Sequence, residues 1–129
     1  MADLEPPVPT GAERIAKERA RQISEEDYDE PHDDDHVGGQ LAMAAACYAA
    51  SAANARIYVM EEFAASVSFD DPWPWDECYD KRPYDGNVLR EPVSDAQRIR
   101  MLEKAGALVA AEIDRLIRRQ AKKKRKRGA

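Results

Sequence analysis

The stretch from Leu41 to Ala55 is dominated by alanine, and it limits the possible folds more than any other feature of the chain. Alanine is the strongest helix former, so the segment reads as helix. Each alanine buries little area, so such a helix is held only where a second helix with small residues of its own comes close. Leu41, Ala45, Tyr48, Ala52, Ala55, Val59 and Phe63 recur at helical spacing, which predicts one long helix from about Gly39 to Val67.

Its partner is legible further along. Ser94 and Gln97 have the spacing of a capping box, and Ile99, Leu102, Ala105, Gly106, Val109, Ile113 and Leu116 form a helical stripe to about Arg119. Ala105 and Gly106 offer the small surface that the alanine face requires, so these two helices are expected to pair antiparallel. An earlier helix starts after Thr10, which caps with Glu13, and runs to about Ser24. Its apolar stripe is thin, since Ile15 and Ile23 are separated on that face by Glu18, Arg19 and Gln22. One reading makes the polar residues solvated flanks whose stems cover the isoleucines. The other makes Glu18, Gln22 and Glu26 an inward, ligand-binding row. The expected fold is all-α, with a three-helix core, a long aromatic loop over residues 68–92 and disordered ends. The expected divisions are a disordered leader, 1–9, a helical domain, 10–117, and a basic tail, 118–129.

Between the first two helices, residues 25–35 hold eight carboxylates, and Pro31 prevents a continuous helix there. A solvated acidic loop is the plain reading. His32 and His36 flank the triplet Asp33, Asp34, Asp35, however, and so bring nitrogen ligands among oxygen ligands. The run also ends at a helix N-terminus, where negative charge is favoured and Asp34 or Asp35 can cap. Glu26, Asp33, Asp34 and His36 are therefore the candidate metal ligands, for Mg²⁺ or Mn²⁺. Gly39 is a candidate phosphate contact because glycine lets another group approach the backbone. In the aromatic loop, Trp73 and Trp75 either fold back over the helix ends or form a stacking platform for a planar ligand such as a nucleotide, with Lys81 and Arg82 for its phosphates.

Charge divides the chain. Residues 1–117 carry 25 acidic and 12 basic side chains, and the last twelve carry eight basic and none acidic. An acidic body repels a nucleic-acid backbone, so weak, nonspecific contact with nucleic acid is assigned to the tail, through Lys122, Lys123, Lys124, Arg125, Lys126 and Arg127. No run is long and apolar enough to span a bilayer, and Met1–Gly11 lacks the pattern of a secretion signal, so no membrane contact and a cytoplasmic location are expected. Cys47 and Cys78 suggest neither a disulfide framework nor metal spacing. The modest core favours a homodimer, which buries what one chain leaves open.

Taken in order, Glu18-Arg19, Arg21-Gln22-Ile23, Glu26, Asp33-Asp34 with His36, Gly39, Leu41-Ala42, the Ala-Cys-Tyr at 46–48, Trp73-Pro74-Trp75, Lys104 to Leu108 and Ala111 to Leu116 resemble a family of small phage and prophage-encoded helical proteins of unassigned function. The resemblance spans most of residues 13–117. It implies an accessory binding protein in the cytoplasm of a bacterial host, acting on a host process through a protein partner, with the metal or phosphate site at the acidic loop. Many relatives carry an acid after the glycine that precedes the leucine; Gln40 stands there, so no carboxylate role carries over to that position. Two other classes compete. One is a metal-dependent nucleotide pyrophosphohydrolase of the all-α type, whose signature of two glutamates spaced by three on one helix does not occur in this sequence. The other is a nucleic-acid-associated protein acting through the tail. No catalytic residue is assigned.

Overall fold

The structure, a computed structural model, describes residues 6–25, 39–83 and 93–128. Three helices carry it: α1 (Gly11–Glu25), α2 (Gln40–Ala52) and α3 (Asp95–Gly128). A hairpin of β1 (Val59–Phe63) and β2 (Ser66–Asp70) follows α2, and a single 3-10 turn spans Glu77–Tyr79.

Both expected capping boxes form. Glu13 N donates to Thr10 Oγ1 at 3.2 Å while Thr10 N donates to Glu13 Oε1 at 3.3 Å. Gln97 N and Ser94 N make the equivalent pair at 3.2 and 2.9 Å. Each pair satisfies backbone donors that the helix itself leaves unmet. The packing of α2 on α3 also follows the alanine pattern, with Leu41, Ala44, Ala45, Tyr48 and Ala52 buried against Met101, Ala105, Leu108 and Ala111. Arg98 Nε donates to Ala52 O at 2.8 Å, which ties the end of α2 to the start of α3.

The all-α expectation needs correction after Ala52. Asn54 takes a left-handed φ of 55°, Ala55 N donates to Ala50 O at 2.9 Å and Asn54 N to Ser51 O at 3.0 Å. These bonds close the helix in a Schellman motif, and asparagine is the side chain other than glycine that tolerates the required conformation. Beyond it, Ser66-Val67-Ser68-Phe69-Asp70 alternates polar with apolar, and Ile57, Tyr58, Val59 and Phe63 are β-branched or aromatic, a composition that suits strands better than helix. Val59 pairs with Asp70, Met60 with Phe69 and Glu62 with Val67, so one turn at Ala64 and Ala65 replaces the predicted helical continuation to Val67. Part of the expected aromatic loop is thus strand.

Two further differences concern α3. Gly106 serves α1 and not α2: a Cβ placed on it would lie 2.5 Å from Ile15 Cδ1. The bare glycine is what admits the isoleucine. The helix also does not stop near Arg119 but continues to Gly128, so the basic tail expected to be mobile is helical over its described length. Lysine and arginine are good helix formers, and positive charge is favoured at a helix C-terminus.

Candidate nucleic-acid interface

From Arg118 to Arg127, α3 carries eight basic residues and no acidic one. At 1.5 Å per residue this is about one positive charge per 2 Å of axis, close to the one negative charge per about 1.7 Å along duplex DNA. The charges spread around the whole circumference, because ten residues make nearly three turns. Lys122, Lys123, Lys124, Arg125, Lys126 and Arg127, the side chains assigned to nucleic acid from the sequence, all lie in this arm, and Lys123 through Arg127 are exposed. The acidic body does not cancel the arm at a distance, since charges more than about 8 Å apart are largely screened at physiological salt.

Nearer the core, the buried charges of α1 and α3 are paired within the chain. Glu18 is 3 % exposed and Gln22 2 %, so α1 presents its polar row inward while Ile23 faces solvent. The Glu18 carboxylate accepts from Arg21 Nε at 2.7 Å and Nη2 at 2.8 Å, and from Arg100 Nη1 at 2.8 Å, with Lys104 Nζ 3.8 Å away. Burial alone raises its pKa; the bonds from Arg21 and Arg100 and the charges of Lys104 and Arg100 outweigh that and bring it down to about 2. Arg100 belongs to no motif in the sequence, and Lys104 enters only as the first residue of the Lys104–Leu108 motif, with nothing to mark either as a partner of Glu18. A signal was available in the inward row itself, because a buried carboxylate demands cations.

Gln22 donates from Nε2 to Glu18 Oε2 at 3.4 Å. Its Oε1 is buried with no hydrogen-bond partner among the described residues, and the residue lines a cavity of about 20 Å³ with Tyr48, Trp75, Lys104 and Leu108. That space matches roughly one water molecule. On the distal part of α3, Arg115 Nε donates to the buried Glu112 Oε1 at 2.6 Å.

The aromatic segment folds back onto α2. Tyr48 Oη donates to Tyr79 O at 3.4 Å and accepts from Lys81 N at 3.2 Å. Trp73 meets Tyr48 edge-on at 5.3 Å and Trp75 at 5.6 Å, and the Arg82 guanidinium sits over its ring at 5.2 Å. Arg82 is in turn held by Asp80 at 2.7 Å and Asp71 at 2.9 Å. The two tryptophans therefore pack against the core, and the guanidinium expected to meet a phosphate is engaged by two carboxylates of its own chain. Cys47 lies in the same region; burial pushes its thiol up to about 11, with Arg82 lowering it and Asp71 and Asp80 raising it.

The candidate metal ligands Glu26, Asp33, Asp34 and His36 lie outside the described residues. Among the described residues no group of three or more histidine, cysteine, aspartate or glutamate side chains is placed to hold a metal ion. Gly39 does open α2, with φ 84° and no side-chain cap on the helix. No helix among the described residues is long and apolar enough to cross a membrane. The chain matches no protein-family model, no curated protein and no solved structure.

Proposed function

We propose that this chain is a binding protein that holds a nucleic-acid backbone, without reading its sequence, through the cationic arm of α3. The observation that supports this reading is the unbroken continuation of α3 into a helix that carries eight positive charges and no negative one over residues 118–127. The reading needs no catalytic group. A homodimer belongs to the same proposal, since two chains bring two arms to one polyanion. So does an accessory role in a bacterial host, on the resemblance to phage and prophage proteins.

Fluorescence anisotropy with a short duplex tests it. The affinity should fall linearly with salt on logarithmic axes, with a slope near −0.9 for each phosphate neutralised. Deleting residues 118–129 should abolish binding. A truncated chain that binds as well as the full one, or binding indifferent to salt, overturns the reading.

The divalent-metal or phosphate site at Glu26, Asp33, Asp34 and His36 is a second element of the proposal, supported by residue types and spacing alone. Thermal melts of the full chain and of Asp34→Ala/His36→Ala in EDTA, Mg²⁺ and Mn²⁺ test it, because a ligand that binds only the folded state raises Tm. A rise confined to the unaltered chain supports the site, and no rise with either ion rejects it.

A further inference from the structure

Two of the apolar surfaces that the described residues leave open carry opposite charge. The first is the hairpin. Its register places Met60 opposite Phe69 and Glu62 opposite Val67 on one face, which Tyr58, two residues before Met60, shares. Tyr58, Met60, Val67 and Phe69 are each more than half exposed. The segment 57–71 carries four acids and no base; Glu62 stands on this face, Glu61 and Asp70 on the other, and Asp71 is paired with Arg82. A lone two-stranded hairpin is marginal in water and needs a further strand or a helix against its apolar face. The substantial packings among the described elements are α2 with α3, α1 with α3 and β1 with β2, so no helix supplies that cover.

The second surface is the distal half of α3. Val109, Ile113, Leu116 and Ile117 form a stripe at i, i+4, i+7 and i+8, each at least 42 % exposed. Arg119 lies three residues beyond Leu116 and Lys123 seven, so both flank the same side, and both are exposed. The surfaces match in size as well as in sign: five paired residues of a hairpin run about 17 Å, and α3 from Val109 to Arg119 runs about 15 Å.

We infer that the hairpin face of one chain covers the distal stripe of a second copy, and reciprocally, in a two-fold homodimer. This deepens the homodimer of the proposal above and does not depend on nucleic-acid binding. Glu62 meets Arg119 and Lys123 of the other copy, and Met60, Val67 and Phe69 cover Ile113 and Leu116. A single hairpin on a helix falls well short of the roughly 800 Å² that each partner gives to a standard interface. Two-fold symmetry makes the contact twice, so each chain contributes both its hairpin and its stripe.

Light scattering on the full chain at tens of micromolar, with no nucleic acid present, should give twice the single-chain mass of 14.5 kDa. Glu62→Lys and Arg119→Glu should each raise the dimer dissociation constant tenfold or more, and the chain carrying both should recover most of the loss. All are exposed positions, and unchanged circular dichroism in dilute solution verifies that each variant folds. A wild type of single mass overturns the inference. So does a dimer sensitive to only one of the two surfaces, as in hairpin-on-hairpin or stripe-on-stripe packing, or a double variant no better than the singles. Salt-dependent binding of DNA by a chain of single mass would reject this dimer while leaving the arm's role intact.

Discussion

Glu18→Gln should be the most costly single polar substitution in the body of the protein. The glutamine side chain fits the same space, but Arg21, Arg100 and Lys104 then face a buried neutral amide in place of the carboxylate. The drop of the carboxyl from 4.5 to about 2 corresponds to about 3 kcal/mol of preference for the charged form in the folded state. Because the folded value lies below the unfolded one, this contribution is fully present above about pH 4.5 and disappears as the pH falls toward 2. Urea unfolding of both chains at pH 7 should therefore show the variant less stable by about 3 kcal/mol, within the range for breaking a buried pair. The same comparison should show the gap shrinking steadily below about pH 4.5 and closing only as the pH falls past 2, where Glu18 becomes protonated in the folded chain as well. A difference below about 0.5 kcal/mol at pH 7, or one that does not change with pH, would refute the assignment of Glu18 as the charged centre of the junction.

Gly106→Ala should change sign with its neighbour: with Ile15 in place the added Cβ displaces that side chain and destabilises, whereas in an Ile15→Ala chain it should stabilise by about 1 kcal/mol through helix propensity. The same sign in both backgrounds, read from urea midpoints, would show that Ile15 is not what requires the glycine. Ala64→Gly should relieve the left-handed φ of 56° at the hairpin turn and strengthen the hairpin by about 1 kcal/mol, visible as slower amide exchange across Met60 and Phe69. A thiol reagent at pH 8 should label the exposed Cys78 quickly and spare the buried Cys47 until the protein unfolds; equal labelling rates would contradict the packing of α2.

The residues that the sequence made legible were those whose role is local. Thr10 with Glu13 and Ser94 with Gln97 cap as their spacing requires, because a capping box involves only one turn of chain. The pairing of α2 with α3 was also readable, since alanine at Ala44, Ala45 and Ala52 leaves few other ways to pack a helix. What was not readable depends on competition between distant choices. Helical periodicity runs on through Val59 and Phe63, and nothing local reveals that Asn54 will take a left-handed turn before them. The apolar stripe of α3 misled for a related reason: Ile99, Leu102, Val109 and Ile113 stand on the open side, and the buried side is built from Met101, Ala107, Leu108 and Ala111. Hydrophobicity alone does not say which of two faces a neighbour will choose. The spacing of Glu18 and Gln22 permits either a solvated flank or an inward row, and what selects the inward placement, Arg100 and Lys104, comes from some eighty residues away.

The continuity of α3 has a mechanical consequence. Between Met101 in the core and Arg127 in the arm there is no proline and no loop to act as a joint, and the one glycine before Gly128, Gly106, is pinned under Ile15. The arm is therefore a lever seated in the body. A polymer that takes hold of the last three turns also sets the direction in which α1 and α2 point, and a torque applied at Arg127 is borne by the buried contacts between Met101 and Arg115.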